Sequence, residues 1–78
     1  MNGILERTLG ILELLASHGE ALELSAIAEQ LDIPPSAVHR LLGDLARCGY
    51  VSQVKGHGSY MLTTKLVSVG LTYLSNTG

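Results

Sequence analysis

The sequence predicts a mostly α-helical fold, in which a core of three helices is followed by a β-hairpin and a fourth helix. Apolar residues recur at helical spacing through most of the first 48 residues. The pair Pro34-Pro35 interrupts that pattern, and two short β-prone runs flank a segment with two glycines, residues 55–58. With 78 residues, 46% of them hydrophobic, the chain is long enough for one domain with one core.

The first helix is predicted over residues 4–17 and ends at Gly19, a favourable C-terminal glycine. Its apolar residues form two lines that lie about 110° apart on a helical projection. One line holds Ile4, Ile11 and Leu15, and the other holds Leu5, Leu9, Leu12 and Ala16. Because one line is enough for a core, we expect the second to form a homodimer contact; the alternative is that the fourth helix covers it.

The second and third helices are predicted to be joined by a tight turn. Ser25 is expected to be the N-cap of the second helix, which runs to about Leu31. Ala28 is small enough for a close helix crossing, and Asp32 occupies the turn position that needs a left-handed backbone. The third helix is predicted from about residue 35 to residue 48 and ends at Gly49. The expected buried positions around the turn are Ile27, Leu31, Ile33, Val38 and Leu41.

A hairpin and a last helix complete the prediction. The strands are expected over 50–54 and 59–63, and the fourth helix starts near Lys65 with Thr63 or Thr64 as its cap. Cys48, Met61 and Leu62 are interpreted as core residues. Helix, helix, break, helix and hairpin is the order of a winged helix-turn-helix, with a three-helix core and a β-hairpin wing.

The charges are divided unequally along the chain. Residues 1–32 carry six acids and one base, whereas residues 33–78 carry one acid and four bases. This asymmetry indicates that one face of the domain meets a polyanion while the other does not. The alternative is a chance division of the twelve charges. The single cysteine cannot form an internal disulfide, no apolar run approaches the length of a membrane-spanning helix, and no signal peptide is recognised. A cytoplasmic location without membrane contact is therefore expected. No spacing typical of a metal site, a cofactor loop or an enzyme active site is found.

The candidate DNA-binding residues lie on the third helix and the wing. The exposed start of a recognition helix meets base edges in the major groove, which selects Pro35, Ser36, Ala37, His39 and Arg40. Arg40 is a candidate for guanine, for a phosphate, or for a surface pair with Asp44. Ser25 is expected either to meet a phosphate or only to cap its helix. Lys55 and His57 on the wing are expected along the DNA backbone or in the minor groove, and Arg47 and Lys65 are weaker phosphate candidates. The histidines and the wing could instead be only solvated.

Several segments resemble the IclR-type transcriptional regulators. These are Leu24-Ser25-Ala26-Ile27-Ala28, the stretch Ile33-Pro34-Pro35-Ser36-Ala37-Val38-His39-Arg40-Leu41-Leu42, Gly49-Tyr50-Val51, Tyr60-Met61-Leu62, and Leu66-Val67-Ser68-Val69-Gly70. Pro35, Ala37 and Asp32 depart from the basic residue, threonine and glycine that are usual in this family. Pro35 and Ala37 each remove a polar contact, so base preference is expected to differ.

The resemblance implies a DNA-binding domain over residues 1–64 and the start of a linker helix over 65–78. It also implies a double-stranded operator, a dimer or tetramer, and a small-molecule effector bound by a C-terminal domain that this chain does not contain. The alternative function is that of a winged-helix module that binds protein and not nucleic acid. The acidic first half and the small number of bases favour this alternative, whereas the concentration of bases in the third helix and wing favours DNA.

Overall fold

The computed structural model describes residues 3–54 and 58–77. Its helices are α1 (Ile4–His18), α2 (Leu24–Leu31), α3 (Pro35–Cys48) and α4 (Lys65–Thr77), and its strands are β1 (Leu22–Glu23), β2 (Val51–Gln53) and β3 (Ser59–Leu62). The predicted order of helix, helix, break, helix, hairpin and helix is confirmed, and the fold is a winged helix-turn-helix.

Three helices end at the residues that the sequence predicts. Gly19, Asp32 and Gly49 all adopt the left-handed conformation, with φ of 75°, 54° and 89°. At the turn between α2 and α3, the Ile33 amide donates to the Ala28 carbonyl at 3.0 Å. This bond closes the C-terminal end of α2, and the small Ala28 side chain is buried.

The prediction that Ser25 is the N-cap of α2 is wrong. The cap residue is Glu23, and Ser25 lies exposed in the first turn of the helix. The reason is a third strand that local patterns did not predict: Leu22 pairs with Tyr60 in an antiparallel sheet of order β1-β3-β2. The Leu24 amide then donates to the Gly58 carbonyl at 3.1 Å, so the chain leaves the sheet and enters the helix before Ser25.

The core lies between the three helices and one face of the sheet. Its buried hydrophobic residues are Ile11, Leu15, Leu22, Ile27, Ala28, Ile33, Val38, Leu41, Leu42, Leu45, Val51 and Tyr60. Leu31 and Leu62 are partly buried against it. Met61 and Cys48 were predicted in the core and are exposed instead. Met61 alternates with the buried Tyr60 along β3 and therefore points to the other face of the sheet, and Cys48 is the last residue of α3.

The two apolar lines of α1 have different environments. Ile11 and Leu15 are buried, although Ile4 on the same line is exposed. On the second line Leu5 and Leu9 are 68% and 46% exposed. The fourth helix therefore does not cover Leu5 and Leu9 within one chain, whereas Leu12 on the same line packs partly against the core. The homodimer contact through this line stays a prediction.

Candidate nucleic-acid interface

Helix α3 separates an apolar inner face from a polar outer face. Val38, Leu41, Leu42 and Leu45 are buried on the inner face. Burial of these four side chains fixes the rotation of the helix, because turning it would expose them to water at about 1.5–3 kcal/mol each. Pro35, Ser36, His39 and Arg40 are consequently exposed near its N-terminal end. Ala37 is half-buried and packs against the core.

The start of α3 is built by two prolines. Pro34 is the N-cap residue and Pro35 the first helical residue, a position where the missing amide hydrogen costs nothing. The Ala37 and Val38 amides donate to the Pro34 carbonyl at 3.0 and 3.1 Å. The exposed side chain of Ser36 therefore stands on a rigid first turn.

A groove of about 450 Å³ runs between the beginning of α1 and the N-terminal part of α3. Its lining residues are Ile4, Arg7, Pro34, Ser36, Ala37, Arg40, Leu41 and Asp44. Arg7 was not among the candidate site residues, yet the fold brings it to the same groove as Ser36 and Arg40. Its Nε is buried and has no hydrogen-bond partner in the described part of the chain. Arg7 projects about 40° from Ile11 around α1, which indicates a position at the edge of the core but not the groove that the side chain enters.

Asp44 on α3 forms an ion pair with Arg47. The Arg47 guanidinium donates to the Asp44 carboxylate one turn before it, and both side chains are largely exposed. A pair between Arg40 and Asp44, one of the alternatives for Arg40, is not what the structure shows. Exposed pairs contribute only about 0–1 kcal/mol, so Arg47 can exchange this partner for another anion at little cost.

The remaining predicted residues fall into two groups. Lys65 points to the protein, because its Nζ donates to the Cys48 carbonyl at 2.6 Å and lies 5.0 Å from the centre of the Tyr50 ring. Lys55 and His57, the predicted wing contacts, lie outside the described residues.

Within the ranges that are described, no three His, Cys, Asp or Glu side chains form a group that could hold a metal ion. No helix there is long and apolar enough to cross a membrane.

Comparison with known proteins places this geometry in a family. Residues 4–55 match the IclR helix-turn-helix domain. The chain is 40% identical over 70 residues to the DNA-binding transcriptional repressor YiaJ of Escherichia coli. The matched segment covers 90% of this chain and 25% of that protein. It is 39% identical over 70 residues to the glycerol operon regulatory protein of Streptomyces coelicolor, covering 90% of this chain and 28% of that one.

Solved structures show the same likeness. The crystal structure of HmgR from Pseudomonas aeruginosa has a TM-score of 0.80 at 35% identity, over 91% of this chain and 30% of that one. An IclR family transcriptional regulator from Brucella abortus has a TM-score of 0.83 at 32% identity, over 94% of this chain and 28% of that one. The chain thus spans about a quarter of the length of the relatives that it matches.

Proposed function

Because this chain belongs to the IclR helix-turn-helix family and is a DNA-binding domain of transcription regulation, we propose that it recognises a specific double-stranded operator by placing α3 in the major groove. The observation that carries this proposal is the exposed row of Ser36, His39 and Arg40 on the first half of α3, held outward by the buried inner face. An α-helix fits the major groove, and residues near its N-terminal end reach base edges there.

The side chains in this row have distinct roles in the proposal. Arg40 donates two hydrogen bonds to a guanine, the commonest specific contact of an arginine. Ser36 and His39 donate to a base or a neighbouring phosphate. Pro35 and Ala37 offer no side-chain polar atom, so they contribute apolar contacts, and base preference differs at the positions they face.

The proposed contacts with the DNA backbone surround this row. Arg47 exchanges Asp44 for a phosphate, Ser25 meets a phosphate from the first turn of α2, and Lys55 and His57 meet the backbone from the wing. These contacts add affinity and salt dependence without sequence preference.

We further propose that the chain works as a part of a longer, cytoplasmic regulator. Residues 1–64 form the DNA-binding domain and 65–78 begin a linker helix towards a C-terminal domain that binds a small-molecule effector. The support is the length of the relatives, of which this chain spans about a quarter. A homodimer through the exposed line of α1 would place two recognition helices about 34 Å apart on one face of the duplex.

The test is a salt titration of binding, measured by fluorescence anisotropy on a duplex selected from a random pool and on an unselected duplex. A DNA-binding domain shows a steep fall of log K with log salt on both duplexes and tighter binding to the selected one. A flat salt response without preference for the selected duplex would refute the proposal and favour a protein-binding module.

Two arginine variants on the same helix separate base reading from backbone contact. Arg40→Ala should weaken binding to the selected duplex by about 1–3 kcal/mol and relax preference at one base position in each half-site. Arg47→Ala, the matched control, should weaken binding to both duplexes evenly and lower the salt slope by about one. Equal losses on both duplexes for Arg40→Ala would make Arg40 a phosphate contact.

A further inference from the structure

Helix α4 has no buried side chain to fix its direction. Each of its residues from Lys65 to Thr77 is exposed, including the apolar ones. Packing of an amphipathic face normally orients a helix in a domain. In the described chain, the orientation of α4 must therefore come from the segment where the helix begins.

That beginning is attached to the C-terminal end of the recognition helix. The Lys65 Nζ donates to the carbonyl of Cys48, the last residue of α3, at 2.6 Å. The last carbonyls of a helix lack intrahelical partners and favour a cation. The Lys65 ammonium therefore gives the Cys48 carbonyl a hydrogen-bond donor that α3 itself does not supply. The Lys65 stem crosses Gly49, where an added Cβ would come within 3.4 Å of the Lys65 Cδ. The ammonium also lies 5.0 Å from the Tyr50 ring centre, within range of a cation–π interaction.

The residue two positions earlier makes a second attachment to the same place. The Thr63 hydroxyl donates to the Gly49 carbonyl at 2.6 Å and accepts from the Lys65 amide at 3.2 Å. The Thr63 amide donates to the Tyr50 carbonyl at 3.0 Å. We call the five residues Cys48, Gly49, Tyr50, Thr63 and Lys65 the Lys65 junction.

We propose that Lys65 is a positioning residue, which holds α4 in one direction relative to α3 so that the two helices move as one body. The backbone attachment through Thr63 fixes where α4 starts. The Lys65 side chain adds the second point of contact that restricts its swing. A movement of the far end of α4 is then transmitted to the recognition helix through the Cys48 carbonyl. Only the role of α3 in DNA binding rests on the proposed function; the geometry of the junction does not.

The experiment measures the swing of α4 directly. Spin labels are placed on Ser75→Cys near the end of α4 and on Ser17→Cys in α1, in a Cys48→Ser background that retains the Cys48 backbone carbonyl. Distances are measured by double electron–electron resonance, with excess unlabelled chain to suppress contacts between labelled copies. The parent chain should give one narrow distribution, and Lys65→Met should widen it at least twofold.

The controls separate the ammonium from general effects of substitution. Lys65→Arg restores a cation of similar reach and should return most of the narrow distribution. Ser68→Ala, another exposed position on α4, should leave the distribution unchanged. Thr63→Val removes the hydroxyl with little change of volume and should also widen it. Circular dichroism checks that each variant is folded. Lys65→Gln also removes the ammonium, and it replaces Lys65→Met as the test if the Lys65→Met chain does not fold.

Binding to duplex DNA distinguishes a positioning role of Lys65 from a direct contact between Lys65 and a phosphate. A folded Lys65→Met chain that keeps the narrow distribution refutes the positioning role. A narrow distribution together with a salt slope lowered by about one would make Lys65 a phosphate contact instead. Should the parent chain bind no duplex at all, the proposed function fails, while the distance measurement still decides the role of Lys65.

Discussion

Replacing Leu9 by glutamate should separate a dimer into folded monomers. Leu9 lies on the second apolar line of α1 and is 46% exposed, so its side chain is not needed in full by the core. A second copy related by two-fold symmetry would cover the exposed part of Leu9 on both protomers. The exposed surface areas of the two Leu9 side chains together nearly equal the surface area of one fully exposed leucine.

The expected magnitude follows from that area. Full burial of a leucine is worth about 1.5–3 kcal/mol, so the substitution should weaken association by at least this amount, or about 10- to 150-fold in the dissociation constant. A buried carboxylate without a partner adds to the loss. Sedimentation equilibrium of the isolated chain, parent against Leu9→Glu, measures both dissociation constants.

The matched control is Ser17→Glu. Ser17 is also exposed on α1 but projects about 100° away from the line of Leu9, so its variant should associate like the parent. A parent chain that stays monomeric at high concentration, with Leu9→Glu unfolded by circular dichroism, would place the line in the core and end the dimer proposal. A dimer that Leu9→Glu leaves intact would assign the contact to another surface.

Two further predictions concern the turn and the wing. Asp32→Gly should raise the free energy of unfolding by about 0.5–1 kcal/mol, measured by chemical denaturation. The left-handed backbone at φ 54° costs a non-glycine residue about 1–2 kcal/mol, and the freer unfolded state of glycine cancels part of the gain. A loss of stability would show that the Asp32 side chain stabilises the turn. Lys55→Ala should weaken binding evenly across sequences and lower the salt slope by about one, and an unchanged slope would leave the wing in solvent.

Local sequence signals predicted most of the fold because they act over a few residues. Gly19 and Gly49 tolerate the left-handed backbone that ends a helix, and Pro34 cannot continue one. The repeat of Val38, Leu41, Leu42 and Leu45 determined which face of the third helix is buried, and hence that His39 and Arg40 are exposed. The same repeat therefore predicts the candidate recognition residues.

The contacts that local patterns missed join distant parts of the chain. Strand β1 is only two residues long and exists because Leu22 meets Tyr60, 38 positions later. A run so short has no periodicity from which a strand can be predicted, and its pairing also moved the start of α2 to a position before Ser25.

The sequence by itself determined the order of the four helices and the hairpin, the C-terminal ends of the first three helices and the exposed face of the recognition helix, because each follows from backbone preferences and from apolar spacing within one segment. Only the tertiary structure decided which cations face the groove and which face the protein. Arg7 enters the groove beside Arg40 because the fold brings the beginning of α1 next to the N-terminal half of α3. Lys65 turns to the Cys48 carbonyl because the hairpin returns the chain to the end of α3. The partner of a long, flexible cationic side chain depends on what the whole fold brings within its reach, and no spacing along the chain encodes that.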